Sequence, residues 1–553
     1  MRLRSSHFMT KLINRWEGFI RWTEGLQITV WSWVIAIGVF MALRIVGEGF
    51  SQKLPSILAP ERWSFFVHAF FYYIAAFLGM ALLLAFTTRE PLARTARFAL
   101  VLASLIITPP ILDLIVSAGR GGVILYRVLP PLGGVGDALR SFVDFVLWSP
   151  YGLLFLGDAH RQIAQLDVNY GVRLEVLAEI LLVTWYVFTK TRSAFRLIGS
   201  LVLLYVGLFF LATLPSFVSW WSGFSVEFLV YGNLSMLQSG FRGDYFAAVL
   251  IPIVVIQALL ALFIWHKEKA LALLRNIRPL RLLLNLAIFS AGLVLGLSSL
   301  PTTASWSFFD SLIVVLGYIS VTTYWLWAVA INDQADVVGD RVSMSDRPLP
   351  RGVISRDELA QFGLVAMIIS WSSALLVSWG VFVMIVVRSS FSWLYSLPPF
   401  RLKRVPILSN FVIGGAYLST AIAGYLLVGK NGITDFPGRL ALAIIWVYTF
   451  AVEFKNIKDI SGDRADGIRT IPVILGDERS RLVIGLMGVA AFLGFPLFYP
   501  ASATVLLPAA LSAGTLYYYA VNRRPYRESI VFGAIFLFIG LLALLWIKKL
   551  FVP

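Results

Sequence analysis

Two clusters of acidic residues in the second half of the chain carry its clearest chemical signal. The first runs from Asn332 to Asp340 and reads NDQADVVGD. On a helix, Asn332, Asp336 and Asp340 would form one stripe with a four-residue spacing, and Asp333 would lie one turn from Asp336. Like charges along one helix face are unfavourable unless a cation neutralises them, so this stripe predicts a cation site.

The second cluster reads DISGDRADG and begins at Asp459. Its carboxylates Asp459, Asp463 and Asp466 are spaced four and three residues apart, which again places them on one side of a helix. Two such stripes facing each other across a bundle would hold Mg²⁺, which prefers oxygen ligands and usually shares one or two carboxylates with substrate phosphates. One acidic motif alone is equally well explained as a solvated loop, but two in equivalent positions favour a metal site.

The rest of the composition narrows the chemistry. The chain has no cysteine, and its four histidines all lie in the first half, at His7, His68, His160 and His266. Disulfides, thiolate metal sites and thiol catalysis are therefore excluded. Metal chemistry in the second half must use oxygen ligands.

The elements that position the acids are predicted to be membrane helices. Of the 553 residues, 59% are hydrophobic and only 14% are charged, whereas soluble domains carry about 25% charged residues. Apolar runs of about 20 residues, enough to cross a bilayer, recur throughout the chain. The net charge of +16 does not indicate a nucleic-acid partner, because the basic residues lie between the apolar runs, where the positive-inside rule places them.

We therefore expect an all-α polytopic membrane protein with about 15 transmembrane helices, preceded by an amphipathic helix at 8–24 on the membrane surface. The predicted spans lie near 28–47, 64–87, 97–118, 174–190, 197–215, 244–265, 282–300, 307–331, 358–378, 379–397, 407–428, 438–455, 480–499, 502–521 and 528–548. Segment 119–173 could be a loop, a re-entrant element or an extra hairpin. The alternation of basic loops places the N-terminus and both acidic motifs on the cytoplasmic side.

The chain divides into three parts. Residues 1–265 form an N-terminal membrane domain of unknown role, 266–283 a basic cytoplasmic connector, and 284–553 a nine-span domain with a faint internal repeat, because an acidic motif follows its second and its sixth span. In the first part, Asp113, Glu175 and Glu179 are intramembrane acids and thus hints of a site. Helix-end solvation or an internal salt bridge explains each of them, and we favour that interpretation.

Further motifs flank the two acidic clusters. RPLPRG begins at Arg347, YSLPPFRLK runs from Tyr395 to Lys403, Asn410 opens the next span, and RTIPVILG follows the second cluster. Together these segments resemble the UbiA superfamily of intramembrane aromatic and lipid prenyltransferases, whose signatures are NDxxDxxxD, YSxPPxRLK and DxxxDxxxGxxTxP. The resemblance covers roughly residues 270–550.

The resemblance implies a nine-helix bundle with a central cavity open sideways to lipid. It implies that Mg²⁺ on a prenyl diphosphate is held by Asn332, Asp336, Asp340, Asp459 and Asp463, with Asp333 and Asp466 as supporting ligands. It also implies that Arg347 and Lys403 neutralise the diphosphate and that Tyr395 and Asn410 orient the substrates.

Arg388 is a further candidate within the bilayer. It precedes Tyr395 by seven residues, two turns away on the same helix face. A buried membrane charge is a functional candidate by default. Arg388 could bind an anionic acceptor or pair with an acid elsewhere, and the sequence leaves both open.

The function predicted from these features is Mg²⁺-dependent transfer of a polyprenyl group from a prenyl diphosphate to an aromatic or other lipophilic acceptor in the membrane. A rival within the same fold is pentose-phosphate transfer from a sugar diphosphate to a polyprenyl phosphate. A rival of another class is a transporter with an intramembrane cation site between repeats. The transporter would place its acids within broken helices at mid-membrane, whereas both motifs here adjoin basic loops.

Overall fold

The computed structural model describes residues 2–52, 63–116, 170–223, 245–300, 306–428, 432–499 and 503–551. Within these ranges every regular element is a helix, which confirms the all-α prediction. Residues 117–169, the core of the segment left open above, lie outside the described ranges.

Nine helices of the described ranges are long and apolar enough to cross a bilayer, which confirms a multi-pass membrane protein. Their spanning parts are Val30–Gly49, Phe66–Thr88, Leu92–Ile115, Ala194–Ala212, Tyr245–Trp265, Pro279–Leu297, Phe308–Ala335, Arg356–Val377 and Asp477–Phe498. The other six predicted spans also coincide with helices. The total of 15 spans stays a prediction.

The described residues fall into two compact units that divide after Lys267. The helices of the first unit are α1 (Arg2–Gly25), α2 (Val30–Gln52), α3 (Trp63–Thr88), α4 (Leu92–Ala103), α5 (Thr108–Val116), α6 (Tyr170–Thr191), α7 (Ala194–Ala212), α8 (Leu214–Ser222) and α9 (Tyr245–Trp265).

Three buried charged residues of the first unit, Arg44, Glu175 and Asp113, have polar partners, whereas Oε1 of the buried Glu179 has none among the described residues. Arg44 is buried and contacts Glu48 at 2.7 Å and Glu175 at 3.0 Å. Asp113 accepts a hydrogen bond of 2.7 Å from the amide of Gly171. The internal salt bridge favoured from the sequence is therefore present at Glu175.

Helix α10 (Lys267–Arg275) lies in the basic connector and belongs to the second unit from Glu268 onward. The second unit also contains nine long helices and three short ones. The long helices are α11 (Pro279–Leu297), α12 (Phe308–Ala335), α14 (Arg356–Val377), α15 (Trp379–Ser396), α16 (Leu408–Tyr425), α17 (Gly438–Ala451), α20 (Asp477–Phe498), α21 (Ala503–Asn522) and α22 (Glu528–Phe551); the short ones are α13 (Val337–Ser343), α18 (Ile460–Ala465) and α19 (Ile471–Leu475).

The nine long helices form a closed ring. Each contacts the next along the chain, and α22 contacts α11. The ion pair between Arg281 and Glu528, at 2.8 Å, joins the first and last helices. Helices α11 and α16 also touch backbone to backbone, because a Cβ at Gly292 would collide with the carbonyl of Ala421, the small-residue packing that membrane helices use. The predicted nine-helix bundle is present, and its ring encloses a cavity of about 600 Å³.

Candidate active site

The first acidic motif is bent rather than straight. Helix α12 ends at Ala335, and α13 starts at Val337, so Asp336 stands between them with φ −108° and ψ 14°. The amide of Asp336 still donates to the carbonyl of Asn332 at 3.0 Å, and that of Asp340 donates to the carbonyl of Asp336 at 2.8 Å. The stripe predicted on one helix is therefore split over two helices that meet at Asp336.

The second acidic motif is built around the short helix α18. Asp459 immediately precedes this helix and Asp466 immediately follows it. The amide of Asp463 donates to the carbonyl of Asp459 at 2.8 Å, and that of Asp466 donates to the carbonyl of Gly462 at 2.9 Å. About two helical turns thus hold the three carboxylates in sequence.

Two glycines bring the motifs together. A Cβ on Gly339 would lie 2.9 Å from Oδ2 of Asp466 and 3.1 Å from the carbonyl of Gly462. A Cβ on Gly462 would lie 2.9 Å from the carbonyl of Gly339 and would collide with the hydroxyl of Ser343. Only glycine fits at this contact, which the sequence analysis missed although both glycines stand inside the quoted motifs.

Arg401 links one carboxylate from each motif. Its Nη2 lies 3.3 Å from Asp336 and 3.2 Å from Asp466. Asp336 also pairs with Lys403 and accepts from the side-chain amide of Asn332 at 3.0 Å. Lys403, which the resemblance assigns to the diphosphate, therefore lies beside Asp336, and Arg401, two residues earlier in the same motif, lies there as well.

Asp333 and Asp340 share the cation Arg347. Arg347 pairs with Asp340 and lies 3.3 Å from Asp333. Asp333 also pairs with Arg278 and accepts from the side-chain amide of Asn276 at 2.5 Å. Asp340 lines the cavity, whereas Asp333 is buried behind its wall. This arrangement favours a positioning role for Asp333, because its partners already satisfy its charge.

Asp459 and Asp463 differ from the acids of the first motif because they form no direct ion pair. Neither forms a salt bridge with a described residue. Oδ1 of Asp459 is buried without a hydrogen-bond partner in this part of the chain. The carboxylate of Asp463 accepts a hydrogen bond from the hydroxyl of Thr470, at 3.3 Å, and from no other described residue. Burial and the neighbouring Asp459 raise the pKa of Asp463 to about 6. Two neighbouring carboxylates with open oxygens, meaning oxygens that form no ion pair and few hydrogen bonds, are suitable ligands for a hard cation.

Burial also shifts the basic groups and Asp340. It lowers the pKa of Lys403 to about 8, although Asp466 and Asp463 oppose this shift. It lowers the pKa of Arg278 to about 10 and raises the pKa of the Asp340 carboxyl, against the pull of Arg347. These charged side chains are partly shielded from water. Their electrostatic interaction with a charged ligand is therefore stronger than it would be in water.

No three acidic or histidine side chains of the described ranges converge into a ready-made metal cluster. Mg²⁺ typically takes one or two carboxylates and completes its coordination with water and substrate phosphates. The open oxygens of Asp459 and Asp463, with Asp336 and Asp340 across the glycine contact, fit that mode of binding. The site thus fits Mg²⁺ together with a phosphorylated substrate.

Tyr395 and Asn410 have different surroundings. Tyr395 lines the cavity, and its hydroxyl accepts from Nζ of Lys455 at 2.7 Å. Asn410 is buried outside the cavity wall and donates to Glu453 at 2.9 Å. Glu453 in turn accepts from the backbone amide of Ile471 at 3.2 Å. Asn410 therefore supports the segment after the second acidic motif and does not reach the cavity.

Arg388 lines the cavity near the middle of α15. Its guanidinium donates to the side-chain oxygen of Asn285 and, at 2.7 Å, to the carbonyl of Ala416. It lies 4.4 Å from the ring centre of Tyr324 and 5.4 Å from that of Tyr417. Of the two options left open from the sequence, pairing with an acid is not found among the described residues.

The cavity has a polar region and an apolar region. The carboxylates and most basic groups come from helix ends and connecting segments, whereas the helix interiors contribute apolar side chains such as Ile288, Ile444, Phe492 and Leu542. A volume of about 600 Å³ is in the range of sites for small organic ligands. The cavity can therefore hold a molecule with a charged head and an apolar tail.

Four side chains of this site are not among the residues predicted from the sequence. Arg278, Arg401 and Lys455 line the charged region or pair with its members, and Glu453 anchors its support. Arg278 stands in the basic connector and Arg401 in the YSLPPFRLK motif. Both residues belong to segments that are visibly basic in the sequence. The spacing of residues along the chain, however, does not show that the connector folds back onto Asp333.

Comparison with known proteins identifies the family. The model of the UbiA prenyltransferase family matches residues 287–542. The chain is 30% identical over 215 residues to a digeranylgeranylglyceryl phosphate synthase of Thermococcus gammatolerans, an alignment that covers 39% of this chain and 74% of the relative. The chain belongs to the UbiA prenyltransferase family. This confirms the resemblance inferred from the motifs.

Two further proteins were compared with this chain. A digeranylgeranylglyceryl phosphate synthase of Pyrococcus horikoshii is 30% identical over 29% of this chain and 55% of its own length. The chain thus spans little more than half the length of that relative. A solved structure of a UbiA homolog from Archaeoglobus fulgidus bound to GPP and Mg²⁺ is 20% identical, with a TM-score of 0.40, and covers 51% of this chain and 98% of the homolog.

Proposed function

We propose that this chain transfers a polyprenyl group from a prenyl diphosphate to a lipophilic or aromatic acceptor, with Mg²⁺ as its cofactor. The observation that carries the proposal is the contact of the two acidic motifs through Gly339 and Gly462 on the wall of a largely apolar cavity. Carboxylates with open oxygens, basic groups and an apolar chamber are the features that a metal-bound diphosphate with a hydrocarbon tail requires.

The oxygens of Asp336, Asp340, Asp459 and Asp463 would hold the metal, with Asn332 and Asp466 beside them. Bound Mg²⁺ supplies positive charge that stabilises the departing diphosphate. Asp333 is assigned a positioning role, since it aligns Arg278 and Arg347.

Arg347, Arg401 and Lys403 bind the diphosphate in this proposal. In the structure these three side chains form ion pairs with Asp336 and Asp340 of the first motif. If Mg²⁺ neutralised the same carboxylates, the N–H groups of these three side chains would be available to phosphate oxygens, to which charge-assisted hydrogen bonds are strong. These N–H groups are hydrogen-bond donors already in position, and they would stabilise the negative charge that develops on the leaving diphosphate.

The reaction breaks the bond between the allylic carbon and the diphosphate oxygen and forms a bond between that carbon and the acceptor nucleophile. The electron pair of the broken bond leaves with the diphosphate, and the acceptor loses one proton. The apolar cavity excludes the water that would otherwise capture the allylic cation. Aromatic side chains of the wall, such as Tyr324 and Tyr448, present faces that stabilise a cation.

The names of the relatives suggest a first acceptor to test. They are called digeranylgeranylglyceryl phosphate synthases, so a prenylated glyceryl phosphate is a natural candidate besides aromatic acceptors. The proposal assigns this activity to residues 284–553, preceded by the connector 266–283 and by the membrane domain 1–265. It places the N-terminus and the acidic motifs on the cytoplasmic side, because the loops beside them are basic.

The test is Mg²⁺-dependent release of diphosphate from labelled prenyl diphosphates by the purified chain in detergent with a membrane lipid extract. Wild type is compared with Asp336→Ala and Asp459→Ala. Release that requires Mg²⁺ and is lost in both variants supports the proposal. Activity only with a sugar diphosphate donor would favour pentose-phosphate transfer, and inactivity with every donor would favour a cation transporter.

A further inference from the structure

We propose that Glu179 and Glu175 of the first unit together bind a single proton inside the membrane and exchange it with water. Both residues lie outside the segment that matches the family, and the inference does not depend on the proposed prenyl transfer. Its basis is a carboxyl group deep in a predicted span, of which one buried oxygen has no partner among the described residues.

Glu179 is the deeper of two glutamates on one face of α6. The two residues are one helical turn apart. Glu179 is only 4% exposed, and its Oε1 accepts no hydrogen bond from the described ranges. It follows Tyr170, where α6 begins, by nine residues or about 14 Å of helix, and the hydrocarbon core of a bilayer is about 30 Å thick. An ionised carboxylate at this depth is unfavourable unless it is paired.

The charges near Glu179 do not compensate it. Arg44 contacts two other carboxylates, Glu48 at 2.7 Å and Glu175 at 3.0 Å. Glu179 lies within electrostatic range of Arg44 and Glu175 but forms no ion pair with Arg44. The side chain of Glu48 is 13% exposed and therefore in partial contact with the surroundings. The excess negative charge thus falls on the buried pair of Glu175 and Glu179, and one proton removes it.

The helices around α6 bring one arginine to this pair. Tyr72 of α3 is also within electrostatic range of Glu175 and Glu179. Lys190, at the opposite end of α6, pairs with Glu24 and Glu90 instead. The titratable side chains of the four helices around the upper part of α6 are Arg44 and Glu48 of α2, His68, Tyr72 and Tyr73 of α3, Asp113 of α5, and Arg196 and Tyr205 of α7.

A proton fits this pair better than a metal ion. No group of three acidic or histidine side chains in the described ranges is arranged to hold a metal, and hard metal ions take more oxygen ligands than two carboxylates supply. Two carboxyl groups this close can share one proton, which relieves the repulsion between them. Arg44 and Glu48 connect the pair to the end of α2 at Gln52, where we expect the proton to enter from water.

The first experiment is infrared spectroscopy of the full-length chain at pH 7 in a maltoside detergent, which has no carbonyl group of its own. We expect wild type to show the carbonyl band of a protonated carboxyl group, which shifts when H₂O is replaced by D₂O and is lost in Glu179→Gln. Glu90→Gln is the matched control and should keep the band, because Glu90 already pairs with Arg94 and Lys190. Absence of the band, its survival in Glu179→Gln, or no shift in D₂O would overturn the proposal.

The second experiment follows the same band from pH 5 to 9 in wild type and in Glu175→Gln, which keeps Glu179. We expect Glu175→Gln to lose the band at lower pH than wild type, because the neighbouring negative charge that favours the protonated form is gone. Equal band intensities in the two proteins at every pH would show that the acids do not share a proton.

Two controls complete the test. Sodium and choline buffers should give the same titration, and a band that sodium displaces would identify a metal-ion site in place of the proton site. Glu179→Gln should keep the unfolding temperature of wild type at pH 7, since a neutral amide replaces a neutral carboxyl group, and a marked fall would contradict a protonated Glu179. Release of diphosphate is not among these measurements, so failure of the proton site would leave the proposed function untouched.

Discussion

The contact between Gly339 and Gly462 makes a quantitative prediction for Gly462→Ala. The new Cβ would lie 2.9 Å from the carbonyl oxygen of Gly339 and 3.0 Å from Cβ of Ser343. Ordinary carbon–oxygen contacts begin at about 3.3 Å, so α13 and α18 must separate by about 0.5 Å. The hydroxyl of Ser343 can rotate away, but the backbone carbonyl of Gly339 cannot.

That separation acts directly on the proposed metal site. Mg²⁺ requires ligands near 2.0–2.1 Å in nearly ideal geometry, and a misplacement of about 1 Å can cost about 100-fold in rate. Half that displacement should lower kcat/KM about tenfold, equivalent to about 1.4 kcal/mol in the activation free energy. Ser343→Ala in the same chain should restore only part of the loss, because the contact with Gly339 remains.

The assay is release of diphosphate at several Mg²⁺ concentrations, with the unfolding temperature in detergent as a check on the fold. Gly533→Ala is the matched control, since a Cβ there meets no atom within 4 Å. We expect Gly462→Ala to raise the Mg²⁺ concentration at half-maximal rate and Gly533→Ala to leave it unchanged. Equal activity of the two variants would refute the idea that this contact sets the distance between the motifs.

Three further predictions concern single charges of the site. Lys403→Gln should raise the KM for the prenyl diphosphate about tenfold or more, because one charge-assisted contact is lost, and steady-state kinetics with Lys403→Arg as control would show it. Asp333→Asn should lower the unfolding temperature, because Arg278 would lose its buried partner, whereas Asp459→Asn should abolish activity without that loss of stability. The affinity for Mg²⁺ should fall as the pH drops through about 6, the raised pKa of Asp463, since only the ionised carboxylate binds the metal; calorimetric titration would detect this, and a flat profile from pH 5 to 8 would contradict it.

The helices and the two acidic motifs could be predicted from the sequence, because each is encoded by residues that lie close together in the chain. Apolar runs of bilayer length predict membrane helices, and the motif at Asn332 and that at Asp459 are visible as spaced carboxylates. The bend at Asp336 was not predicted, because the spacing NDQADVVGD is compatible with one uninterrupted helix. In the structure the helix breaks where Asp336 pairs with Lys403 and Arg401.

The long-range partners could not be predicted from spacing. Arg278 precedes Asp333 by 55 residues and still pairs with it, and Asn410 supports Glu453 across 43 residues. Arg388 illustrates the same limit, since its sequence position allowed either an acidic partner or an anionic ligand. Only the packing of α11, α12 and α16 around it shows uncharged and aromatic neighbours.

The most direct test of the account is a structure of the chain with Mg²⁺ and a prenyl thiodiphosphate, a donor analogue that ionises slowly. The account predicts metal density between Asp336 and Asp340 on one side and Asp459 and Asp463 on the other, with the phosphates on Arg347, Arg401 and Lys403 and the prenyl chain in the apolar part of the cavity. A diphosphate bound elsewhere, or a metal held by only one of the two motifs, would contradict it.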